Sequence, residues 1–239
     1  SENGDGTVLN GIAANVYTHG PGNFYMYGGE MNLTGEEVEN DINNALFESN
    51  GPNTFIFDGE INLTNGILRN NMELYVEDGE ITIENDWPGV PGLENNVDFA
   101  TTGGTMDITA NGPAITNKGS FHQMGGEITA TNTSGSKPVM VSTGQTSLNN
   151  GSLNLYGNGG VGLVQGYNLT LAADDIEDNE SALYVGPVDV DQYPSLNISG
   201  TQVGLYVNGP VAIMEGSSVD IQVEGEPINA DRNWPMAIY

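Results

Sequence analysis

The chain has 239 residues, 34 of them glycine, with no cysteine, and its 4 Lys and Arg stand against 32 Asp and Glu for a formal net charge of −28. Four scattered cations cannot cluster against phosphates, which excludes nucleic acid and disfavours an anionic membrane surface as partner. Without cysteine there is no disulfide framework and no thiolate metal site, and no apolar run reaches the roughly 18 residues that cross a bilayer, so membrane insertion is not predicted.

Taken in chain order, one phrase keeps returning: YGGEMNLT at 27–34, FDGEINLT at 57–64, EDGEITIE at 77–84, TGGTMDIT at 102–109 and MGGEITAT at 124–131. Aligned on the step Gly, any, apolar, any, apolar, the anchors are Gly29, Gly59, Gly79, Gly104, Gly126 and Gly151. Weaker copies place Tyr167, Pro194 and Ser217 at the Gly position. The spacings run 30, 20, 25, 22, 25, 16, 27 and 23, the arithmetic of a repeat near 23 residues with insertions.

Each repeat divides into three short alternating pieces. Residues 45–64 read ALF, TFIF, EINLT, and residues 114–131 read AIT, SFHQM, EITAT. The first piece recurs as GIAAN (11–15), GILRN (66–70), PVMVS (138–142), VGLVQ (161–165), ALYVG (182–186), VGLYV (203–207) and MAIY (236–239). Period-2 alternation predicts strands with one face inward, and the Gly, Asn and Pro between them supply turns. The one stretch with a helical rhythm is 36–47, EEVENDINNALF.

Three strands per repeat predict an all-β, right-handed parallel β-helix of about nine to ten coils, one domain over residues 1–239. Propellers need longer repeats, and a sandwich gives no recurring three-strand phrase. The inward pairs are Ile61 and Leu63, Ile81 and Ile83, Met106 and Ile108, Ile128 and Ala130, Leu153 and Leu155, Leu169 and Leu171, Leu196 and Ile198, Val219 and Ile221. Between them Asn32, Asn62, Thr82, Asp107, Thr129, Asn154, Thr170, Asn197 and Asp220 form a polar ladder on the outer pleat. The polar start SENGDGT and the apolar end PMAIY read as a piece of a larger protein.

The insertions fall mostly after the third piece, at one corner: 35–44, 84–96, 131–138, 156–160, 172–181 and 224–236. Loops gathered on one edge of a repeat protein are the expected binding face. Both tryptophans lie there. The predicted ligand-binding set is therefore Trp87, Trp234, Asn85, Asp86, Tyr156 and Asp231, with rings to stack on sugar faces and polar groups to bond hydroxyls. A candidate calcium site is drawn from Asp174, Asp175, Glu177 and Asp178, whose hard oxygens lie within a few residues, although no EF-hand spacing is present.

Catalytic constellations are not found. The two histidines, His19 and His122, are far apart, and His122 alternates onto an outer pleat. Arg69 and Lys118 read as isolated turn residues, so the basic clamp of a polysaccharide lyase or hydrolase is missing. Seven Asn-x-Ser/Thr steps follow from an Asn- and Thr-rich repeat and are not read as glycosylation.

The phrases GEINLTNGILRNN, SALYVGP and QVGLYVNGPVAIMEGSSVDIQVEG, together with the rhythm of the earlier repeats, resemble the pectate-lyase-like adhesive domains of bacterial cell-surface proteins. The binding regions of serine-rich-repeat adhesins are the nearest type. The resemblance covers 160–239 best and implies a secreted, surface-attached, monomeric rod that binds host or matrix glycans without cleaving them. It supplies no motif of functional residues at named positions. Two other readings stay open: a β-helix polysaccharide hydrolase or lyase, and a structural spacer.

Overall fold

The computed structural model describes residues 7–12, 15–36, 45–166, 183–185, 189, 191–207, 209, 211–223 and 236–238. Among these residues every regular element is a strand, and the strands pair in parallel. The all-β reading, with no helix among the described residues, is borne out. The end of the 36–47 stretch is strand Ala45–Ser49; residues 37–44 lie outside the described ones.

One sheet has nine strands, stacked in chain order: Val16–Thr18, Ala45–Ser49, Ile67–Asn70, Leu93–Asn95, Ile115–Asn117, Met140–Ser142, Val161–Gln165, Val203–Val207 and Met236–Ile238. We call it the first arm. The other sheet has twelve strands and is bent into two further arms. Long strands such as Asn53–Thr64, Asp98–Ala110 and Ser120–Asn132 run through the bend, and their pairing slips register there. In one rung the halves are separate strands, Glu73–Val76 on the second arm and Glu80–Asn85 on the third.

The recurring glycine is what makes the bend. Gly104 and Gly126 have φ of +71° and +76°, a region that side chains disfavour. A Cβ on Gly126 would lie 2.5 Å from the Gly103 carbonyl oxygen of the rung before. The corner thus selects glycine twice, by backbone angle and by the closeness of stacked backbones.

The core lies inside the three arms as vertical apolar columns. On the third arm Ile61, Ile81, Met106, Ile128, Leu153 and Leu196 stand in register. Leu63, Ile83, Ile108, Ala130, Leu155 and Ile198 form the parallel column. All are buried, while Val219 and Ile221 at the last rung are half-buried. Each buried aliphatic side chain contributes about 1.5–3 kcal/mol. Phe99 stacks on Phe121 at 4.8 Å on the second arm. The predicted inward pairs hold wherever they are described; Leu169 and Leu171 lie outside the described residues.

Three assignments change. GIAAN is not a first piece: Val8–Ile12 pairs with Glu30–Thr34 on the third arm, and Val16–Thr18 takes the first. That register sets Leu9 over Met31, and a one-residue slip would turn it outward. ALYVG is not one either, because Leu183–Val185 pairs with Thr146–Leu148 on the second arm. Leu153 and Leu155 pair directly with Leu196 and Ile198, which sets Asn154 beside Asn197 in the outer ladder; Thr170 lies outside the described residues. Arg69 lies inside a strand, not a turn, and is not isolated: its Nε donates to Glu94 Oε2 at 2.8 Å, and Glu48 lies 3.7 Å from its other side.

A second ladder, inside the corner between the first and second arms, is absent from the sequence reading. Ser49, Asn70, Asn95, Asn117, Ser142 and Gln165 stand in register and are fully buried. Asn70 Nδ2 donates to Asn95 Oδ1 and Asn95 Nδ2 to Asn117 Oδ1, each at 2.7 Å; Asn117 Nδ2 donates to Ser142 Oγ at 2.9 Å. The same amides also donate to the carbonyls of Asp98, Ser120 and Gln145, the first residues of the second-arm strands that follow the corner.

Candidate functional site

Strand Gln145–Tyr156 points Leu153 and Leu155 inward, so Asn154 and Tyr156 face outward. Tyr156 pairs with Thr131 on one side and Ser199 on the other, and its ring is 42% exposed. It forms one wall of an open groove of about 310 Å3 on the outer face of the third arm, lined also by Asn197, Ile198, Ser199, Asp220 and Gln222. The alternation that buries Leu196 and Ile198 brings the polar residues out, two rungs deep.

The groove's polar groups are held in place. Asn197 Nδ2 donates to Asn154 Oδ1 at 2.8 Å, and Gln222 Nε2 donates to Asp220 Oδ2 at 3.1 Å. The outer polar ladder does similar work at the other end, where Asn62 Nδ2 donates to Asn32 Oδ1 and Asn32 Nδ2 to Asn10 Oδ1, both at 2.9 Å. An aromatic wall facing amide, hydroxyl and carboxylate groups suits a ligand that has an apolar face and a rim of hydroxyls.

The remaining predicted ligand-binding residues divide. Asn85 is corrected: it is 1% exposed, its Nδ2 donates to the Pro91 carbonyl at 2.9 Å, and its Oδ1 accepts the Trp87 amide at 3.2 Å. It clamps its own loop and has no free face for a ligand. Asn132 repeats the device by donating to the Pro138 carbonyl at 3.0 Å. Trp87 is half-buried against Ala45, Ile67 and Val90. Asp86 is exposed, but only its backbone is engaged: its carbonyl accepts from Asn111 Nδ2 at 3.2 Å.

Trp87 and Tyr156 do not meet. Asn85 is in register with Ala110, and Ala110 with Asn132, while Tyr156 pairs with Thr131. The two rings therefore leave the same corner three rungs apart, about 14 Å along the stack at the usual strand spacing. Trp234 and Asp231 lie outside the described residues, as do Asp174, Asp175, Glu177 and Asp178. Among the described residues, no group of three or more His, Asp or Glu is placed to hold a metal ion.

No known family, curated protein or solved structure matches this chain.

Two charged positions lie away from the groove. Burial pushes the Glu94 carboxyl up, but hydrogen bonds from Lys118 and Arg69 outweigh it and hold the group below its ordinary value. Burial pushes the His122 imidazole down, against the opposing pull of Asp98. His122 faces outward between buried Phe121 and Gln123, as its alternation predicts.

The sequence reading also passes over an aromatic surface. On the second arm Tyr25, Tyr27, Phe55, Phe57 and Tyr75 gather on the outer face of three successive rungs. The signal is present in FYMY, TFIF and ELYV, where aromatic residues occupy alternate positions of consecutive second pieces.

Proposed function

We propose that this chain is a right-handed parallel β-helix of nine to ten coils that serves as a non-catalytic, extracellular glycan-binding module. Right-handedness accords with the strong preference of parallel crossover connections. The reading rests on one observation: the groove in which Tyr156 faces Asn197, Ser199, Asp220 and Gln222. A sugar ring stacks its apolar face on Tyr156, and the amides and Ser199 bond its hydroxyls. Asp220 is the one carboxylate in the lining, where glycoside hydrolysis takes two flanking carboxylates. The likeness of GEINLTNGILRNN and SALYVGP to surface adhesins supports the same reading.

The test is an array of neutral and uronate-bearing oligosaccharides, probed with wild type and Tyr156→Ala, with and without Ca2+, at about pH 7 and pH 4. Retained oligosaccharides that are not shortened, and that are lost from Tyr156→Ala, support binding. Uronate-bearing ligands bind more strongly at the lower pH, because protonating carboxylates relieves repulsion. Shortened products would turn the reading toward an enzyme. An empty array in every condition would leave a structural rod.

A further inference from the structure

The aromatic surface on the second arm is remote from the Tyr156 groove and differs from it in chemistry. Its rings are ordered. Tyr25 lies over Phe55 at 5.4 Å with planes 5° apart, and Tyr27 over Phe57 at 5.0 Å and 7°. Along the strand, Tyr25 and Tyr27 are 6.1 Å apart and within 16° of parallel. Phe55 meets Tyr75 edge-on at 6.0 Å. The stack is not capped among the described residues: Tyr25 is 47% and Tyr27 72% exposed. Contiguous exposed aromatic surface on a chain of net charge −28 marks a contact site rather than a need for solubility.

The surrounding charge has one sign. Asp58 stands in register with Tyr27 and is exposed. Glu73 and Glu77 flank Tyr75 and are exposed as well. The described second-arm strands carry no Lys or Arg. Arg69 and Lys118 belong to the first arm and its turn, where they bind Glu48 and Glu94.

We propose that Tyr25, Tyr27, Phe55, Phe57 and Tyr75 form a docking surface for an extended polypeptide segment with arginines at alternate positions. Ring faces and carboxylates both attract a cation, and the guanidinium is the cation that stacks flat on an aromatic ring. Uronate and phosphate ligands are repelled by the same carboxylates. Spacing favours an extended peptide: its side chains at i and i+2 lie about 6.7 Å apart, close to the Tyr25–Tyr27 separation. The rungs repeat these columns at strand spacing, so two arginines reach two rings at once.

Fluorescence anisotropy at physiological ionic strength tests this with two labelled peptides, Arg-Gly-Arg-Gly-Arg and Lys-Gly-Lys-Gly-Lys. Simple attraction to an acidic protein treats the two alike, whereas ring stacking favours arginine by about fivefold. The expected result is that preference in wild type and in Tyr156→Ala, and its disappearance in Tyr25→Ser/Tyr27→Ser. Asp58→Asn/Glu73→Gln weakens both peptides together. Tyr27→Ser alone, at the most exposed ring, narrows the preference and reads the same effect should the double variant lose its far-UV spectrum. Equal binding of the two peptides by wild type overturns the proposal. So does a preference that survives in Tyr25→Ser/Tyr27→Ser, or loss of the array glycans from that variant in place of the arginine peptide.

Discussion

Replacing Asn95 with alanine probes the device that holds the first corner of every rung. Asn95 is fully buried at the end of strand Leu93–Asn95. Its Nδ2 donates to Asn117 Oδ1 at 2.7 Å and to the Ser120 carbonyl at 2.8 Å, and its Oδ1 accepts from Asn70 Nδ2 at 2.7 Å. Asn70 keeps other acceptors, the carbonyls of Asp98 at 2.7 Å and Met72 at 3.2 Å. Asn117 Oδ1 and the Ser120 carbonyl lose this donor. A buried acceptor deprived of a donor costs about 1–3 kcal/mol and the half-buried Ser120 carbonyl less, so Asn95→Ala is expected to destabilise by about 3 kcal/mol. The control is its neighbour. Asn96 is half-buried and gives one side-chain bond, to Asn71 Oδ1 at 2.7 Å, which water replaces in Asn96→Ala at a cost below about 1 kcal/mol. Urea unfolding followed by circular dichroism and tryptophan fluorescence measures both, with coincident transitions and a constant slope as the check on two-state behaviour. If Asn95→Ala costs no more than Asn96→Ala, the inner ladder is not what stabilises this corner.

Gly126→Ala forces φ near +76° on a side chain whose Cβ meets a carbonyl oxygen, and thermal unfolding is expected to show a loss of more than about 2 kcal/mol. Gly22→Ala, with nothing within 4 Å, changes little. For Glu94 the folded-state pKa lies below the ordinary 4.5, so its stabilising effect is present above that pH and is lost as pH falls through the folded value; Glu94→Gln flattens this limb of the stability–pH curve. For His122 the folded-state pKa lies below the ordinary 6.5, so the unfolded chain binds the extra proton and stability falls as pH drops below 6.5; His122→Gln removes that slope, and an unchanged curve would show that His122 is well solvated. Arg69→Met is expected to destabilise more than Lys118→Met, since the Arg69 side chain is 15% exposed and touches two carboxylates, while Lys118 is 51% exposed and touches one.

Most of the stacking was legible because the third piece repeats its period-2 pattern with little variation. From Ile61 to Ile198 an inward aliphatic pair is written in nearly every copy, and register follows from it. Pieces with few residues were ambiguous. ALYVG and VGLYV have the same local pattern, yet one pairs on the second arm and the other on the first, and only the partner rung decides. The inner asparagines were hidden by convention: ILRN, LEN and ITN end in a polar residue, which reads as a turn unless the corner is seen to fold the amide inside. For the same reason Asn85 looked available to a ligand and is a loop clamp. Tyr156 was legible as an outward ring in an alternating strand. Its partners Asn197, Ser199, Asp220 and Gln222 come from 41 to 66 residues later in the chain, and only the direct pairing of Leu155 with Ile198 brings them to it.

Titration calorimetry with the best oligosaccharide from the array tests the central claim most directly. The Tyr156 groove accounts for binding if Tyr156→Ala weakens the affinity about tenfold while Trp87→Ala, three rungs away, leaves it within twofold of wild type. Wild-type affinity in Tyr156→Ala, with binding lost in Trp87→Ala, would contradict it and return the site to the loops.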